Sequence, residues 1–326
     1  MRDKSKWLIY GALLAGLVGA CALSLFSGAV RVPAADMLWP WSGIIQMRVA
    51  RILLAIVAGT GLSVSGVVFQ ALFRNPLAEP YVLGVSSGAG LGAVAAIFLN
   101  LAATSTWTLP AMAFAGALSA ILLVYALARD STGAAPVHTL LLSGVMVNAV
   151  LNSVLMFFVS LSSSERLHSV IWWLLGNLQI FDWALLRAVA IVVGAGFVVT
   201  VVLSRDLNVI TLGEEPAAHL GLNVELTKML FLLLASLMTG ATVAACGLIG
   251  FVGLIVPHSV RLAIGPDHRR LVPASALAGA TFVVLADSLA RTVIAPTEIP
   301  IGVVTALLGG PFFFFLLRRR KRSSWG

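Results

Sequence analysis

The chain has 326 residues, of which 60% are hydrophobic and only 10% are charged. A water-soluble domain cannot bury so much apolar surface, so the sequence predicts a protein whose solvent is lipid. The formal net charge is +8, but the basic residues lie mostly in short loops between apolar segments. That distribution favours phospholipid headgroups, and not nucleic acid, as the anionic partner.

Ten apolar segments follow one another along the chain, and most are about long enough to cross the hydrocarbon core of a bilayer. They predict an all-α polytopic membrane protein in which residues 1–326 form a single transmembrane domain. The eighth segment is short and is expected to be tilted or broken. The predicted spans are 7–27, 50–71, 82–99, 111–129, 139–160, 184–203, 228–245, 249–264, 271–290 and 301–317.

Two segments need a separate interpretation. The run from Leu17 to Cys21 loosely resembles the cleavage box of a lipoprotein signal, but a plain membrane helix is favoured because the apolar run continues to Phe26. Residues 165–178 are expected to form an extra short helix at an interface. The tryptophans near it suit a headgroup belt, namely Trp172, Trp173 and Trp183.

The distribution of basic residues predicts an orientation. With the N-terminus inside, the inner loops and tails hold 15 basic residues and the outer side holds 6. The positive-inside rule therefore places both termini in the cytoplasm. The inner set includes Arg2, Lys4, Lys6 and Arg318 to Arg322, and the outer set is Arg31, Arg48, Arg51, Arg166, Arg187 and Arg291.

The stretch from Arg48 to Gly92 places a short polar break between two apolar spans. Two prolines and two charges in the run Arg74–Pro80 are expected to end one membrane helix and to start another. Small residues on both flanks predict that the helices approach closely. The positions with four-residue spacing are Gly61 and Ser65 in the first flank, and Gly84, Gly88 and Gly92 in the second.

Three arginines are predicted on the outer surface, against the general charge bias. Arg48 and Arg51 are three residues apart and share a helix face, and Arg291 lies at the end of the ninth span. Headgroup anchoring is the simpler interpretation of this group. The alternative is a docking surface for an acidic partner outside the membrane, since charges of this kind steer encounter and fix register.

The inner loop 204–227 is long and more polar than the others, and Glu214 to Leu220 is expected to form a short helix ended by Gly221. Such a helix suits the docking of a soluble partner. A solvated connector is the alternative.

The chemistry that the sequence lacks is as informative as what it contains. None of its lysines follows a glycine-rich loop, so no Walker A site for ATP is present, and no catalytic or metal-binding constellation stands out. Cys21 and Cys246 are far apart, and no disulfide or zinc site is expected. Asp287 lies four residues before Arg291, and a structural ion pair is favoured over a proton relay.

At these residues the chain resembles the FecCD/BtuC-like permeases of type II ATP-binding-cassette (ABC) importers. The resemblance runs in order along nearly the whole chain. The segments that carry it are Arg48-x-x-Arg51, NPLAEP at 75–80 with LGVSSGAG after it, LGEEPAAHLGL at 212–222, GLIGFVGLIVPHSVR at 247–261, DHRRLVPASALAGA at 267–280, and ADSLAR with EIPIGVVTALLGGPFF within 286–313.

The resemblance implies ten transmembrane helices with an inverted relation between spans 2–5 and 7–10. It also implies roles for particular residues. Matched arginines would dock a binding protein, NPLAEP and APVHTLLL would form a cytoplasmic gate, and the loop 204–227 would couple to an ATPase. The matching positions are Arg48, Arg51 and Arg291 for docking, Asn75, Leu77, Val137 and His138 for the gate, and Leu212, Gly213, Ala217, Leu220 and Gly221 for coupling. Relatives often have small hydroxyl residues where this chain has Val137 and His138.

The function that the resemblance implies is import by alternating access through a path without a tight site. The chain would be the permease subunit of an importer for an iron-siderophore, haem or cobalamin, with no cofactor of its own and no enzymatic activity. Its partners would be a second permease copy, two cytoplasmic ATPase subunits that bind ATP and Mg²⁺, and a periplasmic or surface binding protein. The location would be a bacterial or archaeal cytoplasmic membrane. A secondary transporter driven by an ion gradient is the alternative, and a membrane-embedded enzyme lacks a catalytic constellation.

Overall fold

A computed structural model describes residues 2–28, 43–131, 133–179 and 182–323, with the side chains of 2–6 and 315–323 left out. All regular structure in these ranges is helical. The helices are α1 (Arg2–Phe26), α2 (Gly43–Leu72), the 3-10 helix η1 (Pro80–Leu83), α3 (Val85–Phe98), the 3-10 helix η2 (Leu101–Ala103), α4 (Thr108–Ala128), α5 (Val137–Ser160), α6 (Ser164–Leu174), α7 (Trp183–Val202), α8 (Ser204–Ile210), α9 (Glu214–His219), α10 (Val224–Cys246), α11 (Val252–Ile264), α12 (His268–Thr292) and α13 (Ile301–Ser323).

Every predicted span corresponds to a helix, but the helices fall into two length classes. Seven are long and apolar enough to cross a membrane, namely α1, α2, α4, α5, α7, α10 and α12. The apolar parts of α3, α11 and α13 are shorter, at 10–17 residues, and a helix of 14 residues spans only about 21 Å of the hydrocarbon core of about 30 Å. The count of ten crossings therefore stays a prediction.

The orientation of the chain also stays a prediction. Arg31 and the side chains of Arg2, Lys4, Lys6 and Arg318 to Arg322 lie outside the described residues. We therefore name the two ends of the bundle by residues that are described. The Arg51 end holds the start of α2 and the end of α12, and the Asn75 end holds the segment that follows α2.

Helix α2 forms the centre of the bundle and packs against α7, α10, α11 and α12. Its side chains donate hydrogen bonds to backbone carbonyls of two neighbours, from Ser63 Oγ to the oxygen of Ser275 at 2.6 Å and from Ser65 Oγ to the oxygen of Ala235 at 3.0 Å. Small polar residues are suited to this position because a helix that is buried on all sides needs close backbone approach and internal partners.

The predicted close packing after the break is confirmed for α3 and α4. Gly88 lies against the backbone of Gly116, and Gly92 lies against the backbone of Met112, so that a Cβ at either glycine would clash. Gly84 has a different role, because it precedes α3 in a left-handed conformation with φ of 78°. The three equally spaced glycines therefore have two roles. Gly84 permits the turn before α3, and Gly88 and Gly92 permit the close contact with α4.

Two long helices end in a break that is followed by a short helix. Helix α2 is followed by η1 and α3, and α10 is followed by residues 247–251 and α11. The two breaks meet, because Glu79 Oε1 accepts a hydrogen bond from the nitrogen of Phe251 at 2.7 Å and Tyr81 Oη donates to the oxygen of Ile249 at 3.0 Å. The segment after α2 thus folds back against the second break.

Helix α8 was not predicted from the sequence. It follows α7 after a single non-helical residue, Leu203, and it buries Leu207 and Ile210. Its Asn208 holds the start of α12, since Nδ2 donates to Asp267 Oδ1 at 2.9 Å and Oδ1 accepts from the nitrogen of His268 at 2.9 Å. Partial burial raises the pKa of Asp267, but the hydrogen bonds and nearby arginines outweigh it and hold that pKa below its usual value.

Candidate functional site

At the Arg51 end, four charged side chains form one connected cluster. Arg51 Nε donates to Asp287 Oδ1 and Arg51 Nη1 donates to Glu298 Oε2, both at 2.8 Å. Arg291 Nε pairs with Asp287 Oδ2 at 2.9 Å, which confirms the predicted ion pair within α12. The cluster holds two cations and two anions, and only 12% of the Arg51 side chain and 1% of the Asp287 side chain are exposed.

Two arginines of this region also close the end of α1. Arg48 Nη1 donates to the oxygen of Leu25 at 2.7 Å, and Arg291 donates to the oxygens of Ser27 at 3.0 Å and Ser24 at 3.3 Å. The last carbonyls of a helix have no partner within the helix, and they lie at the negative end of its dipole. Cations from α2 and α12 therefore satisfy the end of α1.

The predicted exposure of the three outer arginines is therefore wrong. Arg48 is only 7% exposed and Arg291 only 4% exposed, and the carboxylates of Asp287 and Glu298 neutralise Arg51. The physical reason is the cost of an unpaired cation near membrane depth, which favours partners from the same chain. The docking role itself stays a prediction.

The Arg51 end also carries cavities that the sequence did not indicate. One has a volume of about 360 Å³ and the other about 420 Å³, and they share Trp172, Asn177 and Gln179. Gln179 Nε2 donates to Glu298 Oε2 at 3.2 Å, so the charged cluster reaches the cavity wall. Trp172 and Trp173 line cavity walls, which their assignment to a headgroup belt did not anticipate. The spacing of these tryptophans in the sequence does not distinguish a headgroup belt from a cavity wall.

At the Asn75 end, the predicted gate residues of the first break lie in a tight turn. Asn75 Oδ1 accepts a hydrogen bond from the nitrogen of Leu77 at 3.0 Å, and Arg74 adopts a left-handed conformation with φ of 48°. Asn75 is exposed and Leu77 is half-buried. An asparagine in this geometry replaces a backbone turn, which explains how the chain reverses directly after α2.

The other two predicted gate residues open α5. Val137 is its first residue and packs against the main apolar core, whereas His138 is exposed. The break after α2 and helix α5 meet further along, where a Cβ on Gly144 would lie 2.7 Å from the oxygen of Val82. The structure thus brings η1 and α5 together, while the gate residues themselves sit on separate segments.

The predicted coupling residues surround α9, and the predicted helix is confirmed. Ala217 is fully buried, while Leu212 is 61% exposed and Leu220 is 65% exposed at its two ends. Gly213 has φ of 121° and Gly221 has φ of 85°, both in the region that favours glycine. A short helix that is fixed at both ends and flanked by exposed leucines offers a contact surface for a second protein.

The polypeptide supplies no centre for a bound metal in its described part. Among the residues that the structure describes, no group of three or more His, Cys, Asp and Glu side chains is placed to hold an ion. The described residues instead form paired charges, helix breaks and cavities.

Comparison with known proteins gives a consistent match. Residues 16–319 match the FecCD transport family. The chain is 47% identical over 266 residues to the cobalamin import system permease protein BtuC of Halobacterium salinarum, which covers 82% of this chain and 70% of that one. It is 38% identical over 315 residues to the hemin transport system permease protein HmuU of Yersinia pestis, covering 94% and 91% of the two chains.

A third relative and a solved structure extend the match. The Fe(3+) dicitrate transport system permease protein FecD of Escherichia coli is 38% identical over 303 residues, covering 91% of this chain and 93% of that one. A structure of an inward-facing metal-chelate type ABC transporter superposes with a TM-score of 0.86 at 32% identity, covering 95% of this chain and 98% of the other.

Proposed function

The chain belongs to the FecCD transport family and is a multi-pass permease subunit of an ABC importer, and we propose that it carries an iron chelate, haem or cobalamin into the cytoplasm. The cargo class rests on the relatives, whose names include cobalamin, hemin and ferric dicitrate. We further propose that residues 1–326 form one permease domain in a bacterial or archaeal cytoplasmic membrane, with both termini inside.

The family implies ATPase and substrate-binding partners, and α9 is the feature that supports an ATPase contact most directly. It is held by glycines at both ends, it buries Ala217, and it leaves Leu212 and Leu220 exposed at the Asn75 end. We propose that the permease dimer binds two ATPase subunits, one at the α9 of each copy, and that these subunits hydrolyse ATP, for which this chain has no Walker A site. The positive-inside rule supports a cytoplasmic location for this end.

A binding protein is proposed to dock at the Arg51 end. Because Arg48 and Arg291 are buried against α1, Arg51 is the arginine of the three with a route to the outside, through the cavity that it lines with Gln179 and Glu298. An acidic residue of the partner would replace Glu298 on Arg51. The ion pair between Arg51 and Glu298 therefore sets the interaction strength that an acidic residue of the partner must exceed to bind Arg51.

A second copy of the chain is proposed to cover α5. In the middle of this helix Asn152 is exposed, and it hydrogen bonds to Asn148 at 3.3 Å. Lipid offers no partner for a side-chain amide, so a polar group at mid-span is expected to face protein or water. A homodimer with α5 along a central path accounts for both the polar and the exposed apolar residues of this face.

The test of this function is reconstitution with candidate partners. The chain is purified with a candidate ATPase and incorporated into liposomes, and uptake of labelled haem, a ferric siderophore or cobalamin is measured with the matching binding protein. Uptake that requires ATP and survives an uncoupler is expected. Uptake that an uncoupler abolishes while ATP stays high would instead identify a secondary transporter driven by an ion gradient.

A further inference from the structure

Lys228 is a buried cation that joins three segments of the chain. It lies near the start of α10, and only 3% of its side chain is exposed. Its Nζ donates to the oxygen of Ala135 at 3.0 Å and to Glu214 Oε1 at 3.2 Å, and it pairs with Glu225 Oε1 at 2.6 Å. An ammonium group has three donors, and three acceptors surround this one.

The position of Lys228 is not explained by helix preferences. Lys228 is the fifth residue of α10, so the partial charge at the helix end, which falls off within the first turn, does not favour a cation there. Burial of an ammonium group is also costly unless acceptors replace its water. The lysine is therefore held by its partners, and those partners belong to α9, to the first turn of α10, and to the loop before α5.

The loop before α5 is fixed on both sides of one residue. Ala135 is 1% exposed, its nitrogen donates to Glu225 Oε2 at 3.2 Å, and its oxygen accepts from Lys228. Pro136 caps α5 immediately afterwards, and Val137 and His138 follow. A displacement of Lys228 or Glu225 would therefore also displace Ala135 and the start of α5, which carries the proposed gate residues Val137 and His138.

The same lysine reaches α9 through the first residue of that helix. Glu214 follows Gly213, and its side chain is 39% exposed. A Cβ on Gly213 would lie 3.3 Å from Arg74 Nη1, so the start of α9 also adjoins the break after α2. The start of α9 therefore touches both gate segments, by an ion pair on one side and by packing on the other.

From these contacts we infer that Lys228 transmits movement of α9 to the gate loop 133–138. The inference rests on the proposed function, in which α9 binds an ATPase. When α9 shifts, its ion pair through Glu214 moves the ammonium group of Lys228. The hydrogen bond from that ammonium group then moves the carbonyl of Ala135. Lys228 is a positioning residue in this scheme, because it touches neither cargo nor nucleotide.

The test measures cargo molecules imported per ATP hydrolysed by the complete reconstituted transporter. Lys228→Met removes the charge but keeps an apolar stem, and Glu214→Gln weakens only the link to α9, because an amide replaces the carboxylate. Both variants are expected to lower the import ratio about tenfold, the size of a typical coupling between sites, and Lys228→Met, which lies outside α9, is expected to retain ATP hydrolysis. Tyr10→Phe is the matched control, because it removes one inter-helix hydrogen bond at the same end, from Tyr10 Oη to the oxygen of Arg270 at 3.0 Å.

A second measurement keeps the test decisive if Lys228→Met does not fold. The variant Val137→Cys, combined with Cys21→Ala and Cys246→Ala, is labelled with a maleimide in the presence and absence of ATP. Glu214→Gln is expected to abolish the ATP-dependent change in labelling rate. Normal import ratios and normal labelling changes in Glu214→Gln would overturn the inference, whereas loss of ATP-dependent import in the parent would overturn the proposed function instead.

Discussion

The buried acidic and basic side chains in the described part of this protein are paired with other parts of the same chain. Arg48 and Arg291 close α1, Arg51 is shared by Asp287 and Glu298, and Lys228 is surrounded by acceptors. Each ion would be costly in a low-dielectric setting without these partners. A cation near a membrane end therefore has a structural role that must be broken before it can bind anything else.

The first prediction concerns Asp287, which neutralises two arginines. Asp287→Asn leaves Arg51 and Arg291 with Glu298 as the remaining carboxylate of the cluster, and we expect a loss of about 3 kcal/mol in stability because an uncompensated buried charge remains. The apparent unfolding temperature of the purified protein measures the effect. Glu298→Gln is the control, since that side chain is 28% exposed and its loss should cost about 1 kcal/mol or less. Equal temperatures for the parent and Asp287→Asn would contradict the assignment.

The second prediction concerns competition for Arg51. Arg51→Glu should weaken binding of the substrate-binding protein about tenfold, and Glu298→Gln should strengthen it, because an amide competes less well than a carboxylate for the guanidinium. Affinities in detergent or nanodiscs measure both effects. Arg187→Glu is the control, because Arg187 is exposed and the variant makes the same change of charge. If Glu298→Gln weakened binding as much as Arg51→Glu, Glu298 would be an orienting residue and not a competitor.

At the scale of elements, short helices and breaks set what can move. Helix α9 is too short to be stable alone, and its two flanking glycines and Ala217 fix its direction. The break after α2 depends on a side-chain turn at Asn75, and it packs against the break after α10. These elements have few internal hydrogen bonds, so they are the natural places for a conformational change.

The third prediction tests the orientation of α9. Gly213→Ala places a side chain at φ of 121°, which a non-glycine residue adopts only with strain of about 1–3 kcal/mol. We expect normal assembly of the bundle with weaker ATPase binding and reduced import. Gly194→Ala is the matched control, because a Cβ there meets nothing within 4 Å. Full ATPase binding by Gly213→Ala would argue against α9 as the contact.

The fourth prediction tests the break as a gate. Leu77→Trp should slow import several-fold without preventing assembly, since Leu77 is only half-buried. Asn75→Leu should do the same because it removes the acceptor for the nitrogen of Leu77, whereas Asn75→Asp keeps that acceptor and should transport nearly normally. Initial uptake rates compare the three variants. Normal uptake by Leu77→Trp and Asn75→Leu would leave the break as a simple turn.

The sequence predicted elements far better than it predicted side-chain partners. Apolar runs located the helices, and the spacing of Glu214 and Gly221 located α9, because both signals are local. The burial of Arg51 could not be predicted, since Asp287 is 236 residues away and Glu298 is 247 residues away. Helix α8 was missed for another reason, since it continues almost directly from α7 and was therefore not separated from that span.

At the scale of the whole molecule, a bundle that faced lipid on all sides would expose only apolar residues at mid-span. This subunit also exposes polar residues there. The centre is occupied by α2, and the exposed polar residues at mid-span include Asn152 on α5. Long helix, break and short helix occur in both halves of the chain, and the inverted relation implied by the resemblance stays a prediction. We propose that the side of the subunit that carries α5 faces a second copy.

The fifth prediction tests that second copy. A cysteine at Asn152, with Cys21→Ala and Cys246→Ala, should cross-link two chains in the membrane when a short bifunctional reagent is added. Ile191→Cys in the same background is the control, because Ile191 is 70% exposed on α7 and is expected to face lipid. Electrophoresis of the membranes measures dimer formation. Cross-linking through Ile191 and not through Asn152 would contradict the proposal, because it would place the interface on α7 and not on α5.

The capping of α1 has a consequence for biosynthesis. This helix leaves the ribosome before α12, yet the Arg291 group that satisfies Ser24 comes 267 residues later. Until α12 is inserted, the last carbonyls of α1 lack that partner and α1 lacks its main packing surface. Helix α1 therefore cannot be locked in place until α12 has been made, and a chain that stops before α12 would present an unfinished α1 to membrane quality control.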